Sequence, residues 1–358
     1  MSLSSTAASR FLESRIGSHR RVEVYAAAGR REIRRSRWLR SGRTDEQRSK
    51  RIRMRARAAQ EVSPEMGRLG AADPSSGRGG DLQLRPVRPA DRERIIEITK
   101  DVWEGRDYIP RVFDSWVADA GASFQAAEIE GVVVGVQRLR PYAPGLVWYE
   151  GLRVAAAQRR HGIGKAMLAA SIGEAREQGF RQMRLATRDL PAVRLFESAG
   201  FGRMVEMKWW RGLRVEGGDP ARIPDPAEAK KLWPGIASSA GFELYAGVCP
   251  DMNGARDLDA DELERLARNG LVRLGPGGRA VALLREPWGQ NIAVSLLAGR
   301  GGALRELLMA LRFEADADGL NHVTINLPPG HPAEEDLKAT GYDFADAEHS
   351  AYIYALTL

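Results

Sequence analysis

Three stretches of this chain carry residue types suited to chemistry. The first is Arg159-Arg160-His161-Gly162-Ile163-Gly164-Lys165, which leads into an apolar-periodic run through Met167, Leu168 and Ile172. Gly162 and Gly164 remove side chains where a backbone must approach a ligand. The unpaired amides that open the following helix can hold a pyrophosphate, and Arg159 and Arg160 add positive charge beside them. The turn is not a P-loop, because Lys165 is not followed by Ser or Thr in the eight-residue pattern. It also lacks the three-glycine spacing of a dinucleotide fingerprint. The second stretch, Trp103-Glu104-Gly105-Arg106-Asp107-Tyr108-Ile109-Pro110, is dense in aromatics and opposite charges. The third is the strand-like run Leu146–Val154, where Gly151 signals a bulge or a close approach by another group. A strict period of two puts Glu150, Leu152 and Val154 on one face and Tyr149 and Arg153 on the other. The single cysteine, Cys249, excludes an intrachain disulfide and a cysteine metal cluster. His322, His331 and His349 are not spaced as a zinc set, so no metal is expected.

The elements that must position these residues begin at Leu82-Gln83-Leu84-Arg85, an alternating strand punctuated by Pro86 and Pro89. Asp91 can cap a helix with Ile95, Ile96 and Ile98 on its apolar stripe, and Val112, Phe113, Trp116 and Val117 suit a second one. Strands are expected over Phe124–Ile129 and Val132–Arg138, with Glu130-Gly131 as the turn between them. After the glycine turn and its helix, stopped by Gly179, come a strand near Met183–Ala186, a helix over Ala192–Ser198 and a last strand near Val205–Trp210.

This order of elements, together with Arg159-Arg160-His161-Gly162-Ile163-Gly164, resembles the GNAT (GCN5-related) N-acetyltransferase family over residues 82–211. The resemblance implies an α/β (α+β) acyl-CoA N-acyltransferase fold with acetyl-CoA as cosubstrate. It implies that the backbone of Leu152, Arg153 and Val154 pairs with the pantetheine arm and that amides around His161–Lys165 hold the pyrophosphate. It also implies that Glu150, on the strand before the turn, is the base that takes the proton of the attacking amine. Acetyl transfer from a thioester needs a neutral amine, such a base, and donors for the developing oxyanion. Many members carry an Asn and, seven residues later, a Tyr that protonates the leaving thiolate. Here those positions are Asp189 and Phe196, so the acid is Tyr108, Tyr149 or water. A narrower likeness, in Trp103–Pro110, Tyr149–Val154 and Ala186-Thr187-Arg188-Asp189, is to the vertebrate histidine N-acetyltransferase branch. It suggests a free amino acid or other small amine as acceptor. Asp107 and Glu104 would then attract a cationic amine, Arg106 would bind a carboxylate, and Trp103, Tyr108 and Tyr149 would supply shape.

Behind Arg222-Ile223-Pro224-Asp225-Pro226 lies a weak internal repeat. Leu195-Phe196-Glu197-Ser198-Ala199-Gly200-Phe201 resembles Asp336-Leu337-Lys338-Ala339-Thr340-Gly341-Tyr342. Strands over Ala280–Arg285, Ile292–Leu297, His322–Leu327 and Ala351–Leu356, and a helix running through Leu304, Leu307, Leu308, Leu311 and Phe313 and ending near Gly319, fit a degenerate second copy of the fold. Gly299-Arg300-Gly301-Gly302 lacks the spacing of the first turn, so this copy is expected to be catalytically silent and to complete or cover the acceptor pocket. Trp233, Trp288 and Tyr245 are expected in core or interdomain contacts. The expected organisation is a leader and linker over 1–80, an acetyltransferase domain over 81–215, a linker over 216–228 and the second copy over 229–358.

The charge is segregated. Residues 1–80 hold 19 Lys+Arg against 8 Asp+Glu, and the remaining residues hold 35 against 39. The folded body therefore has no electrostatic support for nucleic-acid binding. The leader reads as a disordered arm, with Met66 an alternative start and a targeting or anionic-surface role as the functional readings. No apolar stretch is long enough to span a bilayer, and without a secretory core segment a cytoplasmic location is the default. The expected activity is acetyl transfer from acetyl-CoA to a small primary amine, and a homodimer is compatible with it. Acetylation of a protein lysine or N-terminus, and acyl-CoA sensing without turnover, are the alternatives.

Overall fold

The computed structural model describes residues 81–285, 290–345 and 349–358. The Arg-rich leader and Trp288 lie outside the described residues. The first half opens with β1 (Gln83–Pro86), α1 (Arg92–Thr99) and α2 (Ile109–Val117). The hairpin of β2 (Ser123–Ile129) and β3 (Val132–Ala143) follows, then β4 (Leu146–Val154), α3 (Ile163–Glu177), β5 (Gln182–Thr187), α4 (Leu190–Ser198) and β6 (Gly202–Leu213). Each helix covers the sheet with the stripe its periodicity marks. Ile95, Ile98, Ile109, Phe113 and Trp116 of α1 and α2 close on Phe124, Ala126 and Val136. On the opposite face, Leu168, Ile172, Val193 and Phe196 of α3 and α4 close on Val147, Tyr149, Met183 and Leu185.

The second half begins with three short helices, α5 (Pro226–Lys231), α6 (Trp233–Ala237) and α7 (Ala240–Leu244). A small hairpin, β7 (Val248–Asp251) and β8 (Gly254–Asp257), leads to α8 (Ala260–Arg268). Then come β9 (Val272–Leu274), β10 (Val281–Leu284), β11 (Asn291–Ala298), α9 (Gly301–Ala317), β12 (His322–Leu327), α10 (Glu334–Ala339), β13 (Tyr342–Phe344) and β14 (Ala351–Thr357). The parallel pair β11 and β12, bridged by α9, repeats the parallel pair β4 and β5, bridged by α3.

The two halves share one sheet, in the order β1-β2-β3-β4-β5-β14-β6-β12-β11-β10-β9, with β13 also on β6. The final strand of the chain does not close the second half, as the repeat alone suggests. β14 inserts between β5 and β6 of the first half. Conversely, Gly202–Met207 of β6 line up with β14, while Lys208–Leu213 run on to pair with β12. This exchange explains why β6 extends beyond the Val205–Trp210 segment that hydrophobicity marks. Its outer residues pair with the other half. The β7–β8 hairpin seals the junction: Val248 and Ala255 join Trp148, Val205, Met207 and Ile353 in one buried cluster. Arg184 of β5 donates to the Ala255 carbonyl at 2.8 Å and pairs with Asp257.

The exchange makes each half depend on the other. Ile353 and Tyr354 of β14 are fully buried. Losing two such side chains costs roughly 2–3 kcal/mol each, and the backbone groups of two strands would be unpaired at about 1 kcal/mol apiece. That total reaches the whole stability of a typical domain, about 5–15 kcal/mol. A chain truncated after Phe344 is therefore expected to lose cooperative unfolding in both halves, read by circular dichroism in denaturant. An unchanged midpoint would show that the first half closes its sheet without β14.

Candidate functional site

β4 and β5 pair only at Leu146–Gln182, Val147–Met183 and Trp148–Arg184, although both strands continue. Beyond that point β5 keeps its other edge on β14 as far as Thr187, while β4 follows β3, so a wedge opens between them. Gly151 sets the course of β4. Arg138 faces Glu150 and Val136 faces Arg153, so Gly151 and Leu152 together oppose Gln137 in a bulge. Gly151 has φ +72°, and a Cβ there would lie 2.8 Å from the Trp116 ring. Only glycine accepts both the left-handed backbone and that approach.

The bulge corrects the strict alternation expected from period two. Tyr149, Leu152 and Val154 lie on the α3–α4 face, whereas Glu150 and Arg153 lie together on the α1–α2 face. Tyr149 lies opposite Glu150, as the alternation before the bulge has it, and does not join it in the pocket wall. Its ring is 2% exposed, its hydroxyl donates to Gln137 Oε1 at 2.9 Å, and it meets Phe196 edge to face. Its hydroxyl is thus held inside the core, away from the α1–α2 face, and burial pushes its phenol well above the ordinary range. Phe196, in turn, is a core ring packed on Tyr149 and Phe201.

On the α3–α4 face lies the glycine turn. Arg160 and Gly162 both have positive φ, and Gly162 is the N-cap of α3 with no side chain capping the helix. Its leading amides remain as donors to an anion. Arg159, Arg160, His161 and Lys165 are exposed around the turn, while Ile163 anchors it in the core. A Cβ on Gly164 would meet Leu195, Val154 and Leu152 at 3.7–4.0 Å, so the glycine borders the wedge. The Val154 carbonyl accepts a hydrogen bond from Arg159 Nε at 3.1 Å. Asp189 is exposed at the start of α4. Exposed cations beside uncapped helix amides suit a phosphate group.

On the α1–α2 face a pocket of about 200 Å³ is lined by Tyr108, Val112, Trp116, Arg138, Arg140, Glu150 and Asn253. Glu150 Oε1 accepts from Arg138 Nη1 and from Arg140 Nε, the latter at 3.2 Å. Tyr108 stacks on Trp103 and meets Trp116 edge to face. Burial there pushes its phenol up to about 12, with Arg153 and Glu150 acting in opposite directions. It stays protonated at neutral pH. Asp107, 6% exposed, is not open to an amine: it pairs with Arg153 at 2.6 Å and caps the Ile109 amide at 2.9 Å. The Arg153 guanidinium lies over Trp103 and Tyr108, away from the glycine turn. Arg106 and Glu104 pair with each other at 2.8 Å on an exposed turn, so neither reaches this pocket.

Arg138, Arg140 and Asn253 were not among the residues the sequence singled out. Two arginines at i and i+2 in a strand share a face, and that signal was readable. Asn253 gave none, because it arrives on the tip of the β7–β8 hairpin from the other half.

The second half holds the same two features with its own side chains in them. β11 and β12 pair only as far as Val294–Ile325. In the space beyond, Tyr245 donates to the Asn326 carbonyl at 3.1 Å and accepts from the Leu297 amide at 3.3 Å, bridging the strands. The first amide of α9, that of Gly301, donates to Asp336 at 2.7 Å, and Arg305 holds the same carboxylate. His331 packs 5.5 Å from the Tyr245 ring and is 2% exposed. Its Nδ1 accepts from the Ala333 amide, so the neutral ring carries its proton on Nε2. Burial lowers His331 to about 4. Between pH 6.5 and 4 the unfolded chain takes a proton that the folded chain refuses. His331 thus contributes fully above pH 6.5, and up to about 3 kcal/mol is lost as pH falls through that window. Denaturant titrations at several pH values are expected to show this slope, and H331Q to flatten it. An equal slope in the variant would place the proton uptake elsewhere.

Among the described residues no helix is long and apolar enough to cross a membrane, and no group of three or more His, Cys, Asp or Glu side chains is arranged to hold a metal.

The family model described as Acetyltransferase (GNAT) family matches residues 92–201. The human protein named "Probable N-acetyltransferase 16" is 29% identical over 98 residues, 26% of this chain and 27% of that protein. The histidine N-acetyltransferase of Oreochromis niloticus is 28% identical over 88 residues, 24% of this chain and 26% of that protein. The matches span about a quarter of these curated relatives. The crystal structure of a GCN5-related N-acetyltransferase from Sphaerobacter thermophilus shares the fold, with a TM-score of 0.52 at 13% identity, covering 77% of this chain and 95% of that one. Residues 92–201 of this chain are thus similar to the acetyltransferase domain of the GNAT family.

Proposed function

We propose that the first half transfers an acetyl group from acetyl-CoA to the primary amine of a small molecule, and that the second half is a degenerate copy of the same fold that supports it. The observation that carries this reading is the contrast between the halves. The N-terminus of α3 has no side-chain cap, whereas the leading amide of α9 is held by Asp336. The β4–β5 wedge is bordered by glycines at 151 and 164, whereas Tyr245 bridges β11 and β12. One half is built to receive a phosphate and an extended arm, and the other satisfies the equivalent groups internally. Asn253 and the β7–β8 hairpin let the second half close the acceptor pocket of the first.

Gly162, Gly164 and the leading amides of α3 would hold the pyrophosphate, with Arg159, Arg160 and Lys165 adding positive charge at the rim. The bound cosubstrate supplies the acyl group as an activated thioester. Glu150 lies at the bulge where β4 leaves β5, so its carboxylate sits beside the wedge on the acceptor face and serves as the base for the amine. Tyr108 faces the same pocket and keeps its proton at neutral pH. It takes the place of an acid at position 196, where Phe196 has no proton to give. A pocket of about 200 Å³ favours a small acceptor over a protein segment.

Two substitutions separate chemistry from binding. E150Q keeps an acceptor oxygen for Arg138 and Arg140 and is expected to lower turnover by about 10²–10⁴-fold with acetyl-CoA affinity nearly unchanged. A loss below about threefold would remove Glu150 from the role of base. At position 164 an added Cβ meets its neighbours at ordinary contact distance, so Gly164→Val is expected to fold. It should weaken acetyl-CoA binding by at least about tenfold in calorimetry, because the new branch enters the wedge. Unchanged affinity would refute the placement of the cofactor turn.

A further inference from the structure

We propose that Arg138 and Arg140 form a carboxylate-binding subsite, so that the acceptor is an α-amino acid bound by its carboxylate beside Glu150. This rests on the acceptor pocket described above.

The two guanidiniums meet on one carboxylate oxygen of the pocket, Glu150 Oε1. Arg138 is held rigidly: its side chain is 6% exposed, its guanidinium lies 4.7 Å from the Trp116 ring centroid, and its second terminal nitrogen pairs with Asp119. Its Nε is buried without a hydrogen-bond partner. Asp119 is itself 39% exposed at the side chain, so solvent screens much of its compensation. Arg140 is half-buried, lies 5.1 Å from the Tyr142 ring centroid, and is anchored by Nη2 to the Asn253 carbonyl at 2.9 Å. Within the pocket wall two cations thus face one anion. Guanidinium forks fixed on aromatic rings are suited to a second, incoming carboxylate.

The geometry selects among amines. In an α-amino acid one carbon separates the amine from the carboxylate. The group that takes the proton and the group that holds the carboxylate must then be neighbours. Arg140 Nε lies 3.2 Å from Glu150 Oε1, which meets this requirement directly. Polyamines and aminoglycosides offer no carboxylate to this wall. Their added positive charge would meet Arg138 and Arg140 at close range. A pocket of about 200 Å³ is also small for such molecules.

The test uses the full chain. Acetyl transfer is measured by thiol release for a panel of free L-amino acids, for the corresponding amino-acid amides and for the decarboxylated amines. Binding of the same compounds in the presence of CoA is measured by calorimetry. The free acids are expected to exceed their amides and decarboxylated amines by about 10²–10⁴-fold in kcat/KM. R140Q should raise KM for the acids about 10–100-fold with little change in kcat, shrinking the preference for acids over amides, and R140K should restore part of it. Equal turnover of acids and amides, or an unchanged preference in R140Q, would overturn the subsite while leaving the acetyltransferase reading intact. Acids that bind with CoA and respond to R140Q, but are not acetylated, would uphold the subsite and overturn the transfer reading. No binding of any acid would overturn the subsite.

Discussion

The parting of β4 from β5 is the constraint on which the rest of the structure turns. A parallel pair in the middle of a sheet normally keeps its ladder, because every buried amide left unpaired costs free energy. Here β4 abandons β5 after Trp148 and goes with β3. The departure is stabilised on both sides. Gly151 accepts a left-handed backbone against Trp116, and β14 keeps the far edge of β5 fully paired. The wedge is thus held open by a glycine, a tryptophan and a strand that arrives from the end of the chain.

That arrangement joins two chemically different faces. The α3 side offers bare helix amides and a cationic rim, and the α2 side offers a carboxylate, two guanidiniums and aromatic walls. The gap between β4 and β5 lies between them. The second half carries the same parting of strands with Tyr245 across it and Asp336 on the helix end. Its side chains hold a helix-end amide and bridge two strands, where the start of α3 has no side-chain cap. Buried polar groups must find partners, and the two halves meet that demand by opposite means.

Much of the fold was legible in the sequence. Alternation and glycine stops located β4 and the strand His322–Leu327 as the structure has them, and they found α3 and α9 within a turn. The glycine turn lies at the start of α3, where the sequence put it. The strand exchange was not legible, because β6 and β14 alternate the same way whichever sheet they join. The faces of Tyr149 and Glu150 were rightly set opposite each other, but their match to Leu152, Arg153 and Val154 was misread for a local reason: Gly151 signalled a bulge, and the alternation was carried through it as if it were absent. Glu150, read as the base, lies in the pocket wall, while Asp107 and Arg106 drew attention by charge alone and turned out to be paired with Arg153 and Glu104. Pairing of that kind depends on tertiary neighbours that spacing does not reveal.

We propose that only the first half receives acetyl-CoA. Amide hydrogen exchange with and without acetyl-CoA tests it most directly. Protection is predicted at 161–166 and along 149–154, with no change at 300–304 or 295–298. Protection at the start of α9 or at the end of β11, or no change at the glycine turn, would contradict the account.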